Sequence, residues 1–346
     1  MSSRGPTRLS SSPMSEVVAV SGAAGFIGSA VVRKILEGGR YVRALVEPGT
    51  STRNLDGLPR DRLEIVPADV CDYVGMARAL DGCAAFHHLA AIYRVWMPDP
   101  RPIYRVNVEG TTTALLAAQA AKVRRVVYTS SIAAVGLRGD GTPSDESVEW
   151  NLHDIANDYI LTKHLSERIA LRFAEAGLPV VIVNPGFPFG PRDIGPTPTG
   201  NFVLSLLRRQ VPGVGEGGFA GIDVDDVAAG HLAAETRGRV GERYILANHN
   251  VTFREFAELV CEIGGVPAPK LRFPAWAGRG FALGMELWAN RVSHREPMTT
   301  YRSIQYLQRL AYFDASKARR ELDLPCTPLR ESIARAVAWF REQGMA

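Results

Sequence analysis

The sequence predicts an α/β fold: a doubly wound parallel sheet followed by a smaller, mainly helical lobe. Three observations carry this. Short apolar runs alternate with helical periods from Val17 to Pro185, the pattern of parallel βαβ units. A turn punctuated by Gly22, Gly25 and Gly28 joins the first apolar run to the first helix. Beyond residue 186 the alternation gives way to a stretch dense in Gly and Pro, then to several helices. The expected division is a disordered leader over 1–15, a first domain over 16–186, and a lobe over 187–346 that returns one or more strands to the main sheet.

Each element has a local reason. VVAVSG (17–22) is a continuous apolar run and predicts a buried strand. In the helix that follows, Ile27, Val31 and Ile35 are four apart and share one face, and Gly38 and Gly39 stop it. YVRALV (41–46), LEIVPADV (63–70) and AAFHHLAA (84–91) predict strands two to four, with a helix over 72–82. A helix over 106–121 leads to strand five, RRVVYTSS (124–131), and a helix over 157–176, closed by Gly177, leads to strand six, LPVVIVNP (178–185). The Gly and Pro density of 186–221 predicts loops shaped around a ligand. RYILAN (243–248) predicts one more strand, and 253–264, 275–291 and 330–342 predict helices. No internal repeat is visible.

Composition narrows the function. With 346 residues, 46% of them hydrophobic and 22% charged, the chain can bury a large core and is not globally disordered. Its net charge of +4 comes from 40 basic and 36 acidic residues that are interspersed. The densest basic spot, Lys122, Arg124 and Arg125, precedes an apolar strand and reads as a solvated helix end, so no nucleic-acid partner is expected. The cysteines at 71, 83, 261 and 326 have neither zinc-knuckle nor CxxC spacing. They read as reduced core or near-core residues of a cytoplasmic protein without a metal site. Residues 1–15 are rich in Ser, Pro, Arg and Gly and lack a signal peptide's apolar segment, and Met14 is a second candidate start. No run of 18 apolar residues exists, so no transmembrane helix is expected.

Gly22-Ala23-Ala24-Gly25-Phe26-Ile27-Gly28 lies between a predicted strand and a predicted helix. Gly22 permits the sharp turn, Gly25 clears space for a pyrophosphate, and Gly28 lets helix and strand pack closely, while the helix N-terminus offers unpaired N–H groups. This is the phosphate cradle of a Rossmann dinucleotide site. Strand two ends at Glu47, where an acidic group accepts hydrogen bonds from a ribose 2′-OH and repels a 2′-phosphate, which favours NAD. Arg43 and Arg53 leave NADP open. Asp69 and Val70 end strand three, where the adenine is expected. The small residues around Leu89, Ala90 and Ala91 let a cofactor lie against strand four.

Tyr159 and Lys163 are four apart on one helix face, and Ser131 ends strand five just past Thr129. Moving a hydride to or from a secondary alcohol requires a proton to move too. A tyrosine can supply it near neutral pH if its pKa, ordinarily about 10, is lowered. The Lys163 ammonium is expected to favour the phenolate and to hold ribose hydroxyls, and Ser131 to orient the substrate oxygen. Ser130 points the other way by strand alternation.

These motifs place a resemblance in view. Over residues 17–342 the chain resembles the extended short-chain dehydrogenase/reductases, and most closely their hopanoid-associated, dihydroflavonol-4-reductase-like members, often labelled sugar epimerases. The matching stretches are SGAAGFIGSAVV (21–32), YRVWMPDP (93–100), NVEGT (107–111), VVYTSS (126–131), GDGTPSDE (139–146), VVIVNP (180–185), GPRDIGPTPTG (190–200), VDDVAAGH (224–231) and GERYIL (241–246). The resemblance implies that Gly22, Gly25, Phe26, Ile27 and Gly28 hold the pyrophosphate, that Ser131, Tyr159 and Lys163 are catalytic, and that Pro185 and Gly186 lie near the nicotinamide. It also implies a homodimer, paired through the helices at 106–121 and 157–176. Asn107 falls in its NVxGT segment and reads first as a cap or structural hydrogen bond. The chain departs from the pattern in three places. Glu47 stands where close relatives carry Arg, and Asp223 stands where they carry His. In GGFAGIDVDDV (217–227) the Arg with which nucleotide-sugar epimerases grip their substrate is missing.

Arg192 remains, but a single Arg is a poor clamp for a diphosphate. Residues 273–291 are strongly apolar and read first as a core helix of the lobe, with a lid over a lipid-like substrate or a membrane-surface contact as the functional reading. Tyr93, Trp96 and Met97, with Phe187, are placed to line an apolar pocket. The resulting expectation is an NAD(P)-dependent oxidoreductase acting on a secondary alcohol or ketone of a terpenoid, steroid or aromatic molecule. Its rivals are a nucleotide-sugar 4-epimerase or dehydratase with tightly bound NAD, and a protein that binds NAD without catalysis.

Overall fold

The strands are made by buried, largely β-branched runs, and the helices by the segments that cover both faces of the sheet they form. The computed structural model describes residues 16–295, 297 and 299–346, so the expected leader over 1–15 lies outside the described residues. The first half runs β1 (Val17–Ser21), α1 (Phe26–Glu37), β2 (Tyr41–Val46), β3 (Leu63–Pro67), α2 (Tyr73–Leu80), β4 (Ala85–His88), α3 (Arg101–Tyr104), α4 (Gly110–Ala120), β5 (Arg125–Thr129), α5 (Asp158–Glu175) and β6 (Val180–Pro185). The second runs β7 (Phe187–Phe189), α6 (Pro198–Leu207), β8 (Gly213–Gly215), β9 (Gly218–Asp223), α7 (Val224–Arg237), β10 (Arg243–Leu246), β11 (His249–Thr252), α8 (Phe253–Gly264), β12 (Leu271–Phe273), α9 (Ala275–Trp288), α10 (Tyr301–Gln308), α11 (Ser316–Leu322) and α12 (Leu329–Glu342).

Seven strands form one parallel sheet in the order β10-β6-β5-β4-β1-β2-β3. The chain moves outward from β1 to β3, then crosses to β4 on the other side of β1. Ser21 and His88 are therefore register partners at the switch point, where doubly wound sheets bind ligands.

The second half is more regular than the sequence predicts. The stretch 186–221 holds β7, α6, β8 and β9. These strands are short, and β9 pairs both β7 and β11, so their partners are not their sequence neighbours alone. The α7 segment packs on α1 and β10 pairs with β6, so both extend the main layers. The predicted helix over 106–121 starts with a five-residue π turn at Arg105–Glu109 that continues from α3. Two packing expectations fail. Cys326 is exposed, while Cys83 and Cys261 are buried and all four cysteines are free. In α9 only Ala282 is buried, so this is not a core helix.

Candidate active site

The β1–α1 turn closes on itself. Gly22 has φ +66°, and a Cβ there would lie 2.9 Å from the Ala90 nitrogen. A Cβ on Gly28 would lie 2.1 Å from the Gly22 carbonyl oxygen. The Gly25 N–H donates to that same oxygen at 3.0 Å. Gly25 caps α1 without a side-chain hydrogen bond, leaving the positive helix end open beside the half-buried Phe26 and Ile27. Ser21 ties this turn to β4. Its Oγ lies 2.8 Å from His88 Nδ1 and accepts from the Leu89 and Ala90 N–H groups at 3.2 and 3.3 Å. Ala91 follows, half-buried. A cradle from which Cβ atoms are excluded, at an uncapped helix end, fits a pyrophosphate.

At the far side of the switch point Glu47 is exposed just past β2. Arg43 is turned elsewhere: it donates to Glu64 Oε2 at 2.7 Å and to the Ala79 and Asp81 carbonyls at 3.0 and 2.9 Å. Arg53 donates to Gln343 at 2.6 Å. Asp69 accepts from the Cys71 N–H at 2.8 Å, and Val70 is buried beneath Gly110.

The Asn157 side chain caps α5 by accepting from the Ile160 N–H at 2.9 Å, which starts the helix that carries Tyr159 and Lys163 one turn apart. Ser131 Oγ accepts from the Ala133 N–H at 3.1 Å, and the serine favours the ionised form of the Tyr159 phenol. Lys163 is buried, and its Nζ donates to the Thr129 carbonyl at 2.8 Å. Thr129 Oγ1 lies 2.9 Å from His231 Nε2. Burial pushes the Tyr159 phenol up to about 12, against the lowering influence of Ser131. Burial pulls Lys163 down to about 8, against the pull of Glu167. The expected lowering of the phenol by the chain's own residues is therefore absent: desolvation outweighs the serine, and the ammonium is turned to a backbone carbonyl. His88 is held at about 3 by burial, with the Lys163 charge adding to it, and stays neutral.

Other residues complete the site. Tyr93 stacks obliquely on Tyr159, ring centroids 4.7 Å apart. Tyr306 of α10 is buried in the core cluster against which Tyr159 packs, and has a hydroxyl without a hydrogen-bond partner among the described residues. Nothing in the sequence marked Tyr306, because α10 is remote in the chain. Asn107 acts as a structural clip: it accepts from the Ile92 N–H at 2.7 Å and donates to the Ile92 carbonyl and to Thr162 Oγ1, both at 3.1 Å. Glu167 also went unnoticed, although it follows Lys163 by four on the same face. It accepts from Asn184 at 2.5 Å and from Arg243 at 3.0 Å, and Asn184 donates onward to the Ser131 carbonyl at 2.9 Å.

Pro185 ends β6 and Gly186 donates to the Leu246 carbonyl at 2.9 Å. Phe187 packs against Phe219 in a tilted pair, ring centroids 5.0 Å apart. Trp96 donates to Asn290 at 3.1 Å, joining the loop after β4 to the lobe. Arg192 donates to Asp225 at 2.8 Å at the start of α7. Asp223, where relatives carry His, is buried, caps α7 and pairs with Arg335.

The model of the NAD dependent epimerase/dehydratase family matches residues 18–247. A putative dihydroflavonol 4-reductase from Synechocystis is 40% identical over 96% of both chains. Sterol demethylase protein B from Methylococcus capsulatus is 35% identical, over 94% of this chain and 98% of its own. The crystal structure of gox2253 superposes with a TM-score of 0.85 at 39% identity, over 95% of this chain and 99% of that one. The chain belongs to the NAD dependent epimerase/dehydratase family and is an NAD(P)-dependent enzyme of the extended short-chain dehydrogenase/reductase type.

Proposed function

We propose that the chain reduces a ketone, or oxidises the matching secondary alcohol, on an apolar terpenoid, steroid or aromatic molecule. The observation that carries this reading is the wall around Tyr159: its ring packs obliquely on Tyr93 and it lies against the core cluster that holds the buried Tyr306, while Arg192 is engaged by Asp225. Such a wall suits an apolar ring system better than a sugar diphosphate. Two relatives are named for a dihydroflavonol and a sterol, both ring systems of that kind.

The bound nicotinamide supplies or accepts the hydride. Tyr159 is the general acid/base, Ser131 orients the substrate oxygen, and Lys163 holds ribose hydroxyls. The Gly22–Gly28 turn and the α1 N-terminus hold the pyrophosphate, with Leu89, Ala90, Ala91, Thr129, Pro185 and Gly186 around the cofactor and Asp69 and Val70 toward the adenine. NAD is favoured over NADP, since Glu47 stands at the ribose end while Arg43 and Arg53 are bonded elsewhere. Tyr93, Trp96, Phe187 and Arg192 border the substrate. The active form is a homodimer.

The test is turnover. With apolar secondary alcohols and NAD⁺ the protein is expected to release NADH, and Tyr159→Phe to lower kcat/KM by roughly 10²–10⁴-fold. A melting-temperature rise with UDP or dTDP added to cofactor, without net NADH release, would make a nucleotide-sugar epimerase the better reading.

A further inference from the structure

The α9 helix is inside out. Toward α10 it presents small residues and polar bonds: Gly278 faces Gln308 and Ile304, Arg279 donates to Gln308 at 2.7 Å, and Glu286 accepts from the Tyr301 N–H at 3.0 Å. Outward it presents Trp276, Phe281, Leu283, Leu287 and Trp288, with Trp276 77% and Trp288 58% exposed. At 100° per residue these five fall on one side of the helix, interrupted only by Ala277, Gly280 and Gly284. Val292, in the turn that continues the helix, extends the face. Water-facing apolar residues of this size and contiguity mark a contact surface.

Charge says what covers it. Residues 266–296 carry five basic side chains, Lys270, Arg272, Arg279, Arg291 and Arg295, against the acids Glu286 and Glu296. That surplus of +3 makes up most of the whole chain's net charge of +4. All five cations are exposed, with Arg279 and Arg291 on α9 and the turn that continues it, and the others just before and after in the chain. A two-fold pairing of this face with a second copy would set one cationic rim against another. A greasy face rimmed by Lys and Arg is instead the recognition chemistry of an anionic lipid surface. We propose that the chain docks in the plane of an anionic bilayer through α9, with Trp276, Phe281 and Trp288 in the interface and the surrounding arginines on lipid phosphates. The docked face adjoins the candidate site: Asn290 at its end holds Trp96, and α10 beneath it carries Tyr306.

The test is co-sedimentation of the full chain with sucrose-loaded vesicles of phosphatidylcholine alone or mixed with phosphatidylglycerol. The protein is expected to pellet with the mixed vesicles, weakly with the neutral ones, and less as salt rises. Trp276→Ser with Trp288→Ser is expected to abolish pelleting without lowering the melting temperature, because both side chains are exposed. Each of Arg272→Gln and Arg291→Gln is expected to weaken partitioning about fivefold, from ~1 kcal/mol per basic side chain near the surface. No pelleting with mixed vesicles would overturn the proposal, as would pelleting that the tryptophan variant leaves unchanged. A fall in oligomer mass on the tryptophan substitutions would assign the face to a second copy instead. Vesicle binding is read without substrate, so it stands or fails apart from the proposed reaction.

Discussion

At Lys163 the fold sets two demands against each other. The ammonium is buried on α5 with one short bond to the Thr129 carbonyl, and burial pulls it down to about 8. Tyr159, pushed up to about 12, stays protonated throughout the neutral range. In the reductive direction the phenol must arrive protonated, so the group that titrates within reach of neutrality is the lysine. Lowering of a cation's pKa means that the charged form is lost on the alkaline side. The expected profile of kcat/KM for ketone reduction is level below pH 8 and falls above it, following loss of the Lys163 charge. Lys163→Met is expected to give a low rate without that limb. An unchanged alkaline limb in the variant would remove Lys163 from the role proposed for it.

At the scale of elements, one carboxylate joins three. Glu235, near the end of α7, accepts both Arg40 guanidinium nitrogens just ahead of β2, at 3.1 and 2.5 Å, and lies 2.8 Å from His87 Nε2 on β4. Burial alone would raise its carboxyl, but His87 and then Arg40 outweigh it and hold it at about 2. The folded value lies below the ordinary 4.5, so this contribution is present above pH 4.5 and is lost as pH falls from there toward 2. Glu235→Gln is expected to lower stability at neutral pH by roughly 1–3 kcal/mol, since it takes a charged acceptor from the half-buried Arg40 and the buried His87. It is also expected to flatten the acid-side loss, with urea midpoints across pH as the readout. Equal acid sensitivity in both proteins would refute the assignment. The α7 helix itself was hard to read as an element. VDDVAAGHLAAETR buries nine residues on several sides, mostly small ones, so it lacks the one-sided apolar stripe that marked α1. The strands β7 and β8, three residues each, are shorter than any window in which alternation can be counted.

Over the whole molecule, what could be read in the sequence was what is local in it. The glycine turn spans seven residues and the Tyr159–Lys163 pair one helical turn, so both are visible over short stretches, the pair taking its meaning from Ser131 and the glycine turn upstream. The wall of Tyr93 and Tyr306 and the buried Glu167–Asn184–Arg243 relay join segments far apart in the chain, and only the folded sheet brings them together. The same holds for the proposed dimer, whose helices come from the family resemblance and whose surface no stretch of the sequence marks. On α4 and α5, Leu116 and Leu165 are 44% and 38% exposed, with Leu161 and Ile169 half-buried one turn to either side of Leu165. A two-fold axis through these helices would bury the leucines against themselves. Light scattering is expected to give twice the chain's 37.6 kDa, and Leu116→Glu with Leu165→Glu to return it to 37.6 kDa. The substitutions place carboxylates opposite one another across the axis, where like charges cannot be hydrated. Neither leucine carries a role in the proposed site, so NAD⁺ should still raise the variant's melting temperature. A wild-type mass of one chain would refute the dimer, and a dimeric variant would move the interface off these helices.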